Sequence, residues 1–148
     1  MDEHHKDEYD LIEYDDYWLI PLGGTSVAKI IIELALRIEF VDARQLETMI
    51  WIGGELQLKT QGKEHKLKGD DPKGLAPVLD LWGNLVESAL AHKDGRLEIR
   101  FRAGNSLCAY PLPETEAWGV TGQRWLRIAC MPGGDLAVWK PDPPETDK

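Results

Sequence analysis

The sequence predicts a mainly β fold: an internally duplicated antiparallel domain, sandwich or barrel-like, with one short linking helix. Three observations carry that reading. Leu97, Ile99 and Phe101 alternate with Arg96, Glu98, Arg100 and Arg102, the two-residue period of a strand with one buried face. Asp94-Gly95, just before this run, is a strong hairpin-turn pair. A weaker copy of the same pattern lies upstream, from Leu22 to Leu46. Gly24 and Val27 match Gly83 and Val86 at a spacing of 59, and Leu36, Ile38, Phe40 and Leu46 match Leu97, Ile99, Phe101 and Leu107 at a spacing of 61. The difference reads as a two-residue insertion before the second hairpin strand.

Taken in order, residues 1–16 hold eight acids and one base, a net −7 out of −9 for the chain. Like charge and few apolar groups predict an acidic, disordered arm, although Tyr9, Leu11, Ile12 and Tyr14 interrupt it. The arm either ends as a solvated tail or docks on a partner. Residues 17–139 are expected to form one β-rich domain of net charge −1, with repeats over about 22–60 and 81–122. Trp18-Leu19-Ile20 reads as a strand, followed by a turn from Pro21 to Gly24. Ser26 to Leu34 is ambiguous. Ala28, Ile31, Ile32 and Ala35 have helical spacing, while Ile30-Ile31-Ile32 is β-branched. The match to the Asp94-Gly95 hairpin favours a hairpin, with a helix over 26–35 as the alternative.

Leu46 to Ile52, Glu55 to Thr60 and Glu64 to Lys68 follow as strands, separated by turns at Gly53-Gly54 and Gln61-Gly62-Lys63. Asp71 and Pro72 look like an N-cap and first residue, with Leu75, Val78 and Leu79 on one face, and predict the linking helix over about 72–80. The second unit reads as strands 85–92, 96–102 and 106–110, then Thr115 to Thr121, Arg124 to Met131 and Asp135 to Trp139. Pro132-Gly133-Gly134 turns the chain into the last strand. Residues 140–148 contain three prolines and read as a loose tail.

The run from Cys130 to Trp139 (CMPGGDLAVW), the earlier ETEAW and the linker GDDPKGLAPVLDLWG together resemble a bacterial domain family of unknown function. Its members carry an aromatic-Glu-Ala-Trp motif and a terminal Pro-Gly-Gly-acid-Leu-Ala-Val-Trp motif. The terminal motif is intact from Pro132 to Trp139; Glu116-Ala117-Trp118 is present, with Thr115 in place of the aromatic. The resemblance covers roughly 18–139. It implies a small β-rich domain with no catalytic residue to carry over, in which Glu116, Trp118, Pro132, Gly133, Gly134 and Trp139 are structural. Trp118 and Trp139 should be largely buried.

The chemistry expected of the remaining residues is sparse. Cys108 and Cys130 are too few for a disulfide framework, and Cys130 shares the phase of Leu126 and Ile128, as a core residue would. His65 and His92 have no acid–serine pattern beside them and read as solvent-exposed strand residues. His4-His5 and Asp70-Asp71 lack metal-ligand spacing, and the paired glycines join strands rather than opening a helix. No catalytic residue, metal or cofactor is expected. With no long apolar run and no basic leader before an apolar segment, a cytoplasmic location is the default expectation.

The candidate contact residues are therefore Tyr9, Tyr14, Asp15 and Asp16 on the arm, with Met49 and Trp51 on the strand before Gly53. If their strand face meets solvent, Met49 and Trp51 form a contact patch; if a second layer covers it, they are core. The acidic arm argues against nucleic acid and membrane as partners and for a basic protein. The expected function is a non-enzymatic protein-interaction domain, an immunity-type inhibitor of a basic bacterial toxin by class association. The alternative is a small-ligand-binding β domain with an aromatic pocket.

Overall fold

A computed structural model describes residues 11–43, 47–122 and 126–139. The elements are β1 (Ile12–Glu13), β2 (Tyr17–Leu19), β3 (Ser26–Ile32), β4 (Leu36–Val41), β5 (Glu47–Ile52), β6 (Glu55–Thr60) and β7 (Lys63–Lys68), then β8 (Val86–His92), β9 (Leu97–Phe101), β10 (Ser106–Ala109), β11 (Trp118–Thr121), β12 (Arg127–Cys130) and β13 (Leu136–Trp139). They form two antiparallel sheets with open edges, so the domain is a sandwich and not a closed barrel. Sheet A runs β1-β2-β8-β9-β10-β6-β7 and sheet B runs β13-β12-β11-β5-β4-β3.

The duplication is visible in this order. Strands β3-β4-β5 form a meander in sheet B and β8-β9-β10 form its counterpart in sheet A. Each meander is then extended by the following hairpin of the other unit: β6-β7 joins β10, and β11-β12 joins β5. Exchanging the units maps the strand order β3-β4-β5-β11-β12 onto β8-β9-β10-β6-β7. The matched valines join the two units in reciprocal hydrogen bonds. Val27 N–H donates to the Asn84 carbonyl at 3.0 Å and Val86 N–H to the Thr25 carbonyl at 2.8 Å, while Gly83 and Gly24 donate to the Val27 and Val86 carbonyls. Both meanders carry a bulge directly after the valine, between Val27 and Lys29 and between Val86 and Ser88.

Segment 26–35 is a hairpin, and the helical alternative is not realised. Phe40 faces Val27 and Phe101 faces Val86 in register. With Leu36, Ile38, Leu97 and Ile99 they are buried on the inner faces, where the alternating pattern places them. One sequence match fails. Ile38 pairs with Ile50 and Ile99 with Leu107, so the counterpart of Leu107 is Ile50 and not Leu46, which lies outside the described residues.

The linking helix is corrected too. Residues 72–81 form two three-ten turns, Pro72–Gly74 and Ala76–Leu81, and Asp71 makes no side-chain cap. Gly74 and Pro77 deny the segment a continuous α-helical ladder. The turns nevertheless place Leu75, Val78 and Leu81 in the core. The described part of the arm is not free chain: Ile12 and Glu13 pair with Leu19 and Trp18, and Leu11 packs on the core. Tail residues 140–148 and arm residues 1–10 lie outside the described residues. Among the described residues no helix is long and apolar enough to cross a membrane.

Candidate functional site

Sheet B has one face on the core and one turned outwards, and the register orders the outward side chains into rows. Arg37, Trp51, Gly119, Ala129 and Ala137 form one row; Glu39, Met49, Thr121, Arg127 and Trp139 form the next. No described element forms a third layer over them. Met49 and Trp51, both half-buried, therefore belong to an outer surface. The Trp51 indole lies across the strand on Gly119, where a Cβ would overlap the ring. Gly119 thus lets a large aromatic lie flat on the sheet.

Trp139 is 44% exposed, against the expectation of burial. It ends edge strand β13 in the outward phase, while Leu136 and Val138 take the inward positions. Its ring lies 4.5 Å from the Arg127 guanidinium, a cation–π contact. Beside Met49, a shallow depression of about 200 Å³ is lined by Glu39, Glu47, Thr121 and Gly122.

The arm residues lie elsewhere. Tyr14, Asp15 and Asp16 form the exposed turn between β1 and β2 on sheet A, and Tyr9 is outside the described residues. Tyr14 stacks on Tyr17 at 4.9 Å. Lys93 donates through its Nζ to Glu13 at 2.6 Å and through its backbone N–H to the Asp16 carbonyl at 2.9 Å. The two sets of expected contact residues are thus on different sheets, and the fold does not gather them into one patch.

The motif residues have a structural account. The Pro132–Gly134 turn brings Gly134, at φ +109°, onto the Asp94-Gly95 hairpin turn, where Gly95 has φ +104°. Fully buried Trp118 donates its indole N–H to the Gly95 carbonyl at 2.9 Å. The motifs therefore join the two sheets at one end. Glu116 is exposed.

A further cluster escaped the sequence reading. On the outer face of sheet A, His92 Nε2 donates to Glu98 Oε1 at 2.8 Å, and Arg100 Nε donates to Glu98 Oε2 at 2.9 Å. His92 is half-buried with an acid at hydrogen-bond distance, rather than a free surface histidine. The signal was the turn: a hairpin at Asp94-Gly95 sets His92 near Arg96 and Glu98 on neighbouring strands. Cys108 pairs with Glu98 in the same row. Burial pushes its thiol up, so Cys108 is protonated at neutral pH and is no activated nucleophile. Burial likewise raises Cys130 to about 11. Both cysteines are free thiols.

Glu98 supplies a pH prediction. Burial pushes its pKa up, but the hydrogen bonds from His92 and Arg100 outweigh burial and hold it below the ordinary 4.5. A depressed folded pKa contributes stability above the unfolded value, and that contribution disappears as pH falls through the folded one. Glu98→Gln should therefore lower the melting temperature at neutral pH and narrow its gap to the natural protein below about pH 5. Thermal melts across that range provide the check; a constant gap would contradict the linkage.

An open groove of about 490 Å³ runs along β6 and β7, lined by Gln57, Lys66, Lys68, Tyr110 and the neighbouring Glu55, Leu56 and Leu67. A family model described as a family of unknown function (DUF6188) matches residues 18–140. No curated protein and no solved structure matches the chain.

Proposed function

Because the chain belongs to this family of unknown function, which brings no activity with it, we propose a role from its surface: a non-enzymatic protein-interaction domain of the immunity type, which occludes a basic bacterial toxin. The observation that carries the proposal is the outer face of sheet B. There Trp51 and Met49 present flat apolar area beside a depression bearing the Glu39 and Glu47 carboxylates. Met49 beside the Glu39 carboxylate sets apolar area next to negative charge, which suits a basic protein surface. The burial that pushes both thiols up supports a non-catalytic reading.

The test takes a basic bacterial toxin as the candidate partner. Trp51→Ala should weaken its binding by roughly thirtyfold, the scale of an interface anchor. Removing residues 1–10 should slow association at low salt while leaving the melting temperature unchanged, since the paired strand begins at Ile12. Binding that ignores Trp51, the arm and salt would overturn the proposal. The groove on β6–β7 favours a second reading, a binder of small anionic molecules held by Lys66 and Lys68 beside Tyr110. In that case Lys66→Ala would abolish ligand-induced thermal stabilisation and Trp51→Ala would not.

A further inference from the structure

The two sheets end in four edges, and three are guarded. β1 has two residues. β7 carries Lys63, Glu64, Lys66 and Lys68. β13 has four residues. Short length and lysines are usual devices against edge-to-edge pairing. The fourth edge, β3, has seven residues with Ile30-Ile31-Ile32 in its second half and a single lysine. Its counterpart under the internal exchange, β8, is covered by β2. Among the described residues, the matching position on β3 is covered only at the start, where Ser26 bridges to Leu85 and the Trp82 indole donates to the Ala28 carbonyl at 3.2 Å. Glu33 turns its N–H inwards to Ala35. The alternation of the ladder then leaves the peptide groups of Ile32 and Ile30 facing outwards.

We propose that β3 is a homodimer interface, with the β3 strands of two copies pairing antiparallel across a two-fold axis at Ile31 and joining the two B sheets. The strand is self-complementary in that register. Ile30 and Ile32, both with outward peptide groups, fall opposite one another and exchange hydrogen bonds. On the outer face Ile31 meets its own copy, and Lys29 falls opposite Glu33 of the second copy, once on each side. Lys29 and Glu33 are exposed and, among the described residues, their ion pairs are long, 4.0 Å to Glu39 and 3.9 Å to Arg37, so both can reach across. A same-patch contact of this kind closes at two copies and does not propagate. The interface is the edge of sheet B, distinct from the Trp51 face, so it stands independently of the function proposed above.

Sedimentation equilibrium on the full chain tests it. The natural protein should sediment as a dimer at micromolar concentration. Lys29→Glu and Glu33→Lys each set like charges opposite one another twice, and each should weaken dimerisation at least about tenfold. Mixing the two variants restores opposite charges and should recover a heterodimer. Ile31→Lys should also give monomer; the two charge variants lie at exposed positions and keep the test valid if this substitution impairs folding. A natural protein that stays monomeric, or a dimer indifferent to Lys29→Glu and Glu33→Lys, would overturn the proposal.

Discussion

Phe101→Ala and Phe40→Ala should each destabilise the domain by about 3–5 kcal/mol, the range for truncating a buried phenylalanine. Phe40 is fully buried and Phe101 nearly so. Each faces the valine whose backbone bonds to the other unit. A void at either ring therefore opens where the two units meet, and backbone collapse into it would break the reciprocal pairs on both sides. The two losses should be similar. Arg100→Ala, one residue away on the outward face, should cost far less, because its exposed hydrogen bond to Glu98 is a surface ion pair. Denaturant titrations of the three variants give the comparison. An arginine loss as large as the phenylalanine losses would contradict the assignment of strand faces.

Gly95→Ala should be nearly as damaging, at about 2–5 kcal/mol from two additive causes. Gly95 has φ +104°, which an L side chain resists. A Cβ there would also lie 2.9 Å from Gly134 Cα and carbonyl oxygen, which are backbone atoms and cannot swing aside. Separating them would pull the Gly95 carbonyl away from the Trp118 indole. Gly104→Ala separates the two causes. Gly104 has φ +98° with nothing within 4 Å of the added carbon, so only the backbone cost of about 1–2 kcal/mol remains. Equal melting temperatures for the two variants would mean that the Gly95–Gly134 contact carries no weight.

What the sequence made legible was the inner face of the central meander strands. The alternation in 36–40 and 97–101 named the inner residues correctly, and Asp94-Gly95 located the hairpin. Partners were not legible, because a two-residue period says which way Leu56 or Val120 points and nothing about which strand lies alongside. The exchange of hairpins between the units depends on pairings such as Leu58 with Leu107 and Ile50 with Val120, which no local pattern marks. Trp139 closes a motif and so points to burial, but the inward phase of Leu136 and Val138 turns it outwards. At the contact surface, Met49 and Trp51 were recognised as sharing a face. That this face is outward depends on the number of layers, a tertiary fact. The Glu39–Glu47 depression arises from adjacency across β4 and β5 and had no sequence signature.

The interleaving of the two units has a consequence for how the chain reaches its native state. Neither half can complete a sheet from its own strands: β5 awaits β11, and β6 awaits β10. During synthesis the first half emerges with the free sides of β5 and β6 still unmatched. Closing them requires contacts such as Ile52 with Trp118, separated by more than sixty residues. Such distant pairings raise the entropic barrier and slow folding relative to a domain built from neighbouring hairpins. Cooperativity is the return on that delay. With each unit locked through the other, one half cannot fray without opening both sheets, and the domain is built to unfold as a whole.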